Sequence, residues 1–212
     1  MDILQSQMLE SVRSAVRLKY PNKDIFYQAL VLATSIQPPV PAEDLILIDK
    51  LKAKSGLNDI EFFILSNKNM YKATLENLTE NPMWDYFIEE ARRRGEDTKF
   101  FSPAFQRIDG NEVVILSSKA YDEVRLLGGM SYSKVIAHEL GHKYMRKSHI
   151  FRVVEEFLNK FGNDDLRPKA EFLYKEMFAN NFADLLLSPD PLSPKNMSDV
   201  FRKTRTQLMK GK

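Results

Sequence analysis

Apolar residues recur every four positions at the start of the chain, at Leu4, Met8, Val12 and Val16, which predicts a helix over 2–19 that ends near Tyr20-Pro21. A second helix is expected over 24–35. Pro38-Pro39-Val40-Pro41 then stops helix and forms a stiff connector, because proline lacks an amide hydrogen and fixes its own backbone. The next helix, 42–54, has Glu43 and Asp44 in its first turn and Lys52 and Lys54 in its last, an order that complements the helix dipole. Gly56 is placed to cap its C-terminus. Ile60-Glu61-Phe62-Phe63-Ile64-Leu65 is short and rich in aromatic and β-branched residues, and reads as a strand.

Asn81-Pro82 supplies an N-cap and a first helical residue for a helix that carries Trp84, Phe87, Ile88 and Ala91 inward and closes at Gly95. Asp109-Gly110 is a turn signal between 105–108 and 112–116, so a hairpin is expected there, with Glu112 to Leu116 as an edge strand. After Gly128-Gly129, a helix capped by Ser131 or Ser133 begins, and further helices are expected over 150–161 and 166–187. The pattern as a whole is α+β: a small, mostly antiparallel sheet on one side, two long helices packed across it, and the N-terminal helices outside.

Composition narrows the class. At 212 residues, 43% of them hydrophobic, the chain can bury one sizeable core. A net charge of +2 gives no electrostatic case for a nucleic-acid partner. Arg92-Arg93-Arg94 and the basic run from Arg202 through Lys210 and Lys212 read as solvated helix ends. No apolar run is long enough to span a membrane, and the first residues interleave polar side chains, so a cytoplasmic protein is expected. Without cysteine, any metal must be held by His, Glu or Asp.

The chemistry-bearing stretch is His138-Glu139-Leu140-Gly141-His142. On a helix, residues four apart share a face, so both imidazoles can address one ion. Glu139 is turned about 100° away, within reach of a water at that ion without ligating it. Zinc suits two neutral imidazoles and keeps a position open for water. Gly141 implies a close approach to the helix, since glycine costs a helix interior about 1 kcal/mol. The plain alternative is two solvated histidines on an amphipathic helix.

A catalytic zinc takes a third protein ligand. His149 falls one residue late for the metzincin spacing, and that class is excluded. Asp164 and Asp165 read as the start of a helix, and Glu155 and Glu156 follow the motif too closely to fold back. On the 166–187 helix, Phe172, Leu173, Ala179, Asn180, Ala183 and Leu187 all fall within about 60° of Glu176. A carboxylate in that stripe calls for a cation opposite it, either a salt-bridge partner or zinc. Glu171 instead has Lys175 at i+4, an ordinary surface pair.

Here the chain resembles the ImmA/IrrE-type zinc metallopeptidases and the wider gluzincins, on His138-Glu-Leu-Gly-His142 and on Glu176-Met-Phe-Ala-Asn-Asn-Phe-Ala-Asp-Leu-Leu-Leu-Ser-Pro189. Lys143 departs from that pattern, which has an apolar residue there. The resemblance covers 39–189 and implies a zincin-like domain there; an N-terminal helical extension over 1–38 and a basic C-terminal tail or helix over 190–212 are expected outside it. It implies His138, His142 and Glu176 as zinc ligands and Glu139 as the catalytic base of an endopeptidase that cuts a protein substrate, a transcriptional repressor. Tyr144, His149 and Tyr174 are the candidates for a donor to the oxyanion. The alternative is a zinc-stabilised regulatory protein that binds its partner without cutting it.

Overall fold

A computed structural model describes residues 34, 37–66, 104–106, 111–124, 130–147, 159 and 167–210. Its elements are α1 (Ala42–Ser55), β1 (Glu61–Leu65), β2 (Ala104–Gln106), β3 (Glu112–Leu116), α2 (Ser118–Val124), α3 (Tyr132–Lys147), α4 (Arg167–Leu187) and α5 (Pro194–Lys210). Apart from residues 34 and 159, the helices expected over 2–19, 24–35, 81–95 and 150–161 lie outside the described residues, as do the Asp109-Gly110 turn and the Arg92–Arg94 run. The chain forms two compact units, residues 1–45 with 61–130 and residues 46–60 with 131–212.

The first unit carries the sheet, in the order β1-β3-β2. β2 pairs antiparallel with β3 from Ala104↔Ile115 to Gln106↔Val113, as the hairpin reading requires. The longer pairing is parallel, β1 on β3 over five residues, so "mostly antiparallel" is corrected. Glu112–Leu116 is also the central strand, not an edge. The physical reason was present in its composition: Val113, Val114, Ile115 and Leu116 are at most 1% exposed, and a strand covered on both faces reads as a continuous apolar run. Glu61 N donates to Asn111 O and Ser117 N to Leu65 O, both at 3.0 Å, extending the ladder at its two ends. Gln37 lies along the other edge of β1, donating to Ile64 O and accepting from Ser66 N. Asp44 accepts from the Ser118 amide at 2.9 Å and satisfies the first turn of α2 from a distance of 74 residues.

In the second unit α3 packs on one side of α4 and α5 on the other. Ser131, not Ser133, caps α3, accepting from the Lys134 amide. Gly56, at φ +71°, ends α1 with Leu57 N on Lys52 O at 3.1 Å and Gly56 N on Ala53 O at 3.3 Å, the paired bonds of a left-handed C-cap. Lys54 donates to the last carbonyls of α4, Leu186 O and Ser188 O. Phe178 and Phe182 are fully buried within this unit. α5 sets Met197, Val200, Thr204 and Leu208 inward, stacks Phe201 on Phe178, and receives two hydrogen bonds from buried Asn181, at Thr204 and Gln207. No helix among the described residues is long and apolar enough to cross a membrane.

Candidate metal centre

The approach of α3 to α4 decides the site. Gly141 faces Ala179 so closely that an added Cβ would sit 2.9 Å from the Ala179 Cα and 3.2 Å from a Phe182 ring carbon. The glycine therefore serves helix contact, as its cost in a helix interior implied. Ala179 and Ala183, both fully buried, keep the facing side of α4 small. At that spacing a side chain from α4 reaches the histidine face of α3.

The side chain that reaches it is Glu176. Its Oε2 lies 3.3 Å from His138 Nε2 and its Oε1 3.3 Å from His142 Nε2, while the two Nε2 atoms are 3.0 Å apart. The rings meet edge to face at 4.6 Å. His138 Nδ1, pointing the other way, is 3.0 Å from the Asn180 side-chain oxygen. Side-chain exposure is 11% for His138, 15% for His142 and 37% for Glu176, so the cluster opens to solvent on its carboxylate side. Glu139 is buried one step round α3.

Electrostatics bind the cluster together. Burial works against charge on Glu176, but the hydrogen bonds and positive potential of the two imidazoles prevail and hold its carboxyl well below the usual range. Burial likewise works against protonated His138. Glu176, Glu139 and Asn180 outweigh it and raise the imidazole above its ordinary value. Three donor atoms from His138, His142 and Glu176, all within 4.8 Å of one another, form a group that can hold a metal ion. It is the one such group among the described residues.

No protein-family model, curated protein or solved structure matches the chain. The assignment of residues therefore stands on this geometry.

The structure brings together the three expected ligands and sets Glu139 beside them. Of the stripe expected around Glu176, Ala179 and Ala183 are fully buried, but Phe172, Leu173 and Asn180 are half-buried and Leu187 is 39% exposed. The other buried apolar positions of α4 are Ala170, Tyr174, Phe178, Phe182 and Leu186, and Glu176 stands on the flank, half-buried. Glu171 pairs with Lys175, as expected of a surface residue. His149, Glu155, Glu156, Asp164 and Asp165 lie outside the described residues. Tyr144 packs its ring on Phe182 at 4.9 Å. Tyr174 is buried, its phenol pushed up to about 12 by loss of solvent against the opposing charge of Arg205. It stands two residues before Glu176, about 200° round α4 from the carboxylate. Lys143 is buried at 2% exposure, in keeping with an apolar position.

Asn180, which sequence reasoning places in the apolar stripe with no role, lies four residues after Glu176 on the same helix face and contacts the cluster through His138.

Proposed function

We propose that the protein is a zinc-dependent endopeptidase with a zincin-like arrangement of its two ligand helices. The carrying observation is that the Nε2 atoms of His138 and His142 lie 3.0 Å apart and each lies 3.3 Å from one oxygen of Glu176, Oε2 and Oε1 respectively. Zinc binds imidazole nitrogen and carboxylate oxygen at about 2.0–2.2 Å, so tetrahedral ligands stand roughly 3.3–3.5 Å apart. The donor set is nitrogen and oxygen throughout, which suits a divalent ion of this kind. His138, His142 and Glu176 would hold it. When bound, zinc supplies a Lewis acid for the scissile carbonyl and brings the pKa of the attacking water close to neutral.

The remaining chemistry belongs to the chain. Glu139 follows the first histidine, is buried beside the ligands and accepts the proton of the attacking water on its carboxylate. It then returns that proton to the leaving amine. The exposed flank of Glu176 is the side from which a polypeptide reaches the cluster. The resemblance of the two motif stretches supports a transcriptional repressor as the substrate class.

The test is co-expression of the protein, or its Glu139→Gln variant, with a candidate transcriptional repressor, with fragments read by mass spectrometry and zinc by elemental analysis. Wild type should cut. Glutamine keeps the shape but cannot take a proton at neutral pH, so zinc should remain while cleavage falls by about 10²–10⁴-fold. A variant with full zinc and full cleavage would end this mechanism. Zinc retained with no cleavage by either form, and the partner bound intact, would favour the non-catalytic regulator.

A further inference from the structure

We propose that Lys134 and Lys203 form a cationic subsite that takes an acidic side chain of the polypeptide substrate, about three or four residues from the bond held at the metal centre. This rests on the endopeptidase reading above and adds a sequence preference to it. Lys134 lies one helical turn before His138 on α3, and Asp184 lies two turns after Glu176 on α4. Their side chains meet, Lys134 Nζ to Asp184 Oδ1 at 2.7 Å. Eight residues of helix turn Asp184 by about 80° from Glu176, and Lys203 Nζ of α5 lies 3.7 Å from its other oxygen. Three helices therefore bring two ammonium groups to one carboxylate, on the faces of α3 and α4 that carry the metal cluster.

One carboxylate cannot neutralise two ammonium groups. Lys203 is 55% exposed and too far from Asp184 for a hydrogen bond, so its donors face solvent. Exposed ion pairs contribute little to stability, so holding the fold gives no reason for the second lysine. The excess charge continues along α5, where Lys195, Arg202, Arg205 and Lys210 are exposed against a single acid, Asp199. The whole chain, by contrast, carries a net charge of only +2. Arg202, Lys203, Thr206, Gln207 and Lys210 line a shallow groove with Asp199. Positive potential beside a hydrolytic centre favours negative charge in what docks there. Asp184 and Asp199 interrupt the strip and would oppose a continuous row of phosphates, whereas a polypeptide can set single carboxylates between them. The spacing fixes the register. The rise of α4 puts Asp184 about 12 Å from Glu176, and an extended chain advances about 3.3 Å per residue.

The experiment uses the full zinc-loaded chain and, as the probe, a degenerate peptide library whose products are sequenced by mass spectrometry. Wild type should favour Asp or Glu over neutral residues by about 2–5-fold at the third or fourth position to one side of the cut, as one exposed ion pair implies. High salt should shrink the preference, because exposed charges are screened. Lys203→Gln should lower it. Lys203→Glu should invert it toward Lys or Arg, which a misfolded protein could not do. Duplex DNA added as a competitor at physiological salt should leave cleavage unchanged, and displacement of the peptides by DNA would overturn the proposal in favour of a nucleic-acid surface. Cleavage without an acidic preference in that window, or a preference that Lys203→Glu leaves intact, would overturn the subsite and leave the endopeptidase reading standing. A library left uncut by zinc-loaded wild type would also overturn the subsite, and an uncut repressor as well would take the endopeptidase reading with it.

Discussion

Glu176 is subject to opposing demands. Its side chain keeps 37% of its surface open, yet both oxygens are engaged by imidazoles at 3.3 Å. Glu171, five residues earlier on α4, has similar exposure and, among the described residues, pairs with the i+4 lysine. The two glutamates therefore separate a candidate ligand from a surface carboxylate on one helix. Glu176→Ala should weaken zinc binding and lower the melting temperature of the zinc-loaded protein, because it leaves the ion under-liganded. Glu171→Ala should change stability by roughly 0.5 kcal/mol or less, as expected of a surface site. Chelator competition and thermal unfolding of both variants check the pair, and the reverse order of effects would remove Glu176 from the ligand set. Sequence spacing made His138, Glu139 and His142 legible because all three depend on one helix. The Asn180 contact with His138 was not, because it exists only once a second helix lies alongside.

At the scale of elements, the Gly141 contact sets how closely α3 and α4 pack. An alanine there would gain about 1 kcal/mol of helix propensity. Its methyl, however, would meet the Ala179 backbone at 2.9 Å and 3.1 Å, which no rotamer change can relieve. Overpacking of this kind costs about 1–3 kcal/mol and wins. Gly141→Ala should thus shift the denaturant midpoint downward and weaken zinc binding, since the helices part at the very point where Glu176 crosses to the histidines. Stability and zinc affinity both equal to wild type would show that the approach is not needed. On its opposite side α4 is held by α5 through Asn181, Thr204 and the Phe178–Phe201 stack, at 5.0 Å between ring centres. Adjacent asparagines on α4 are thereby divided, Asn180 toward the histidines and Asn181 toward α5.

For the whole molecule, the ligand cluster should shape stability against pH when metal is absent. Glu176 has its pKa depressed in the folded chain, so its contribution is complete above its ordinary value of 4.5 and is lost as pH falls below it. His138 has its pKa raised, so its contribution is complete below its ordinary value of 6.5 and is lost as pH rises through the elevated one. The contribution of the pair is therefore greatest between 4.5 and 6.5. Zinc reverses the alkaline limb, because it binds neutral imidazole and its affinity grows with pH. Denaturant unfolding of wild type and Glu176→Gln, with chelator and with zinc, checks this. The difference between the two chelated proteins should be largest in that mildly acidic window. A difference that climbs steadily from about pH 5 to about pH 8 would contradict it.

What the sequence determined by itself was local. Charge order between the proline run and Gly56 placed α1, the serine cap and the motif placed α3, the apolar pattern placed α4, and the i, i+4 histidines followed from the pitch of a helix. These depend on neighbours within a turn or two, and such neighbours are written side by side in the chain. Only the tertiary structure decided the partners. It made β3 the centre of a mixed sheet, where a continuous apolar run allowed either a central or an edge position until β1 paired parallel to it. It set Glu176 on the flank of α4 and turned it to the histidines, across 34–38 residues of chain. Burial and ligand geometry depend on which surfaces meet, and that is settled when Gly141 lets one helix lie against another.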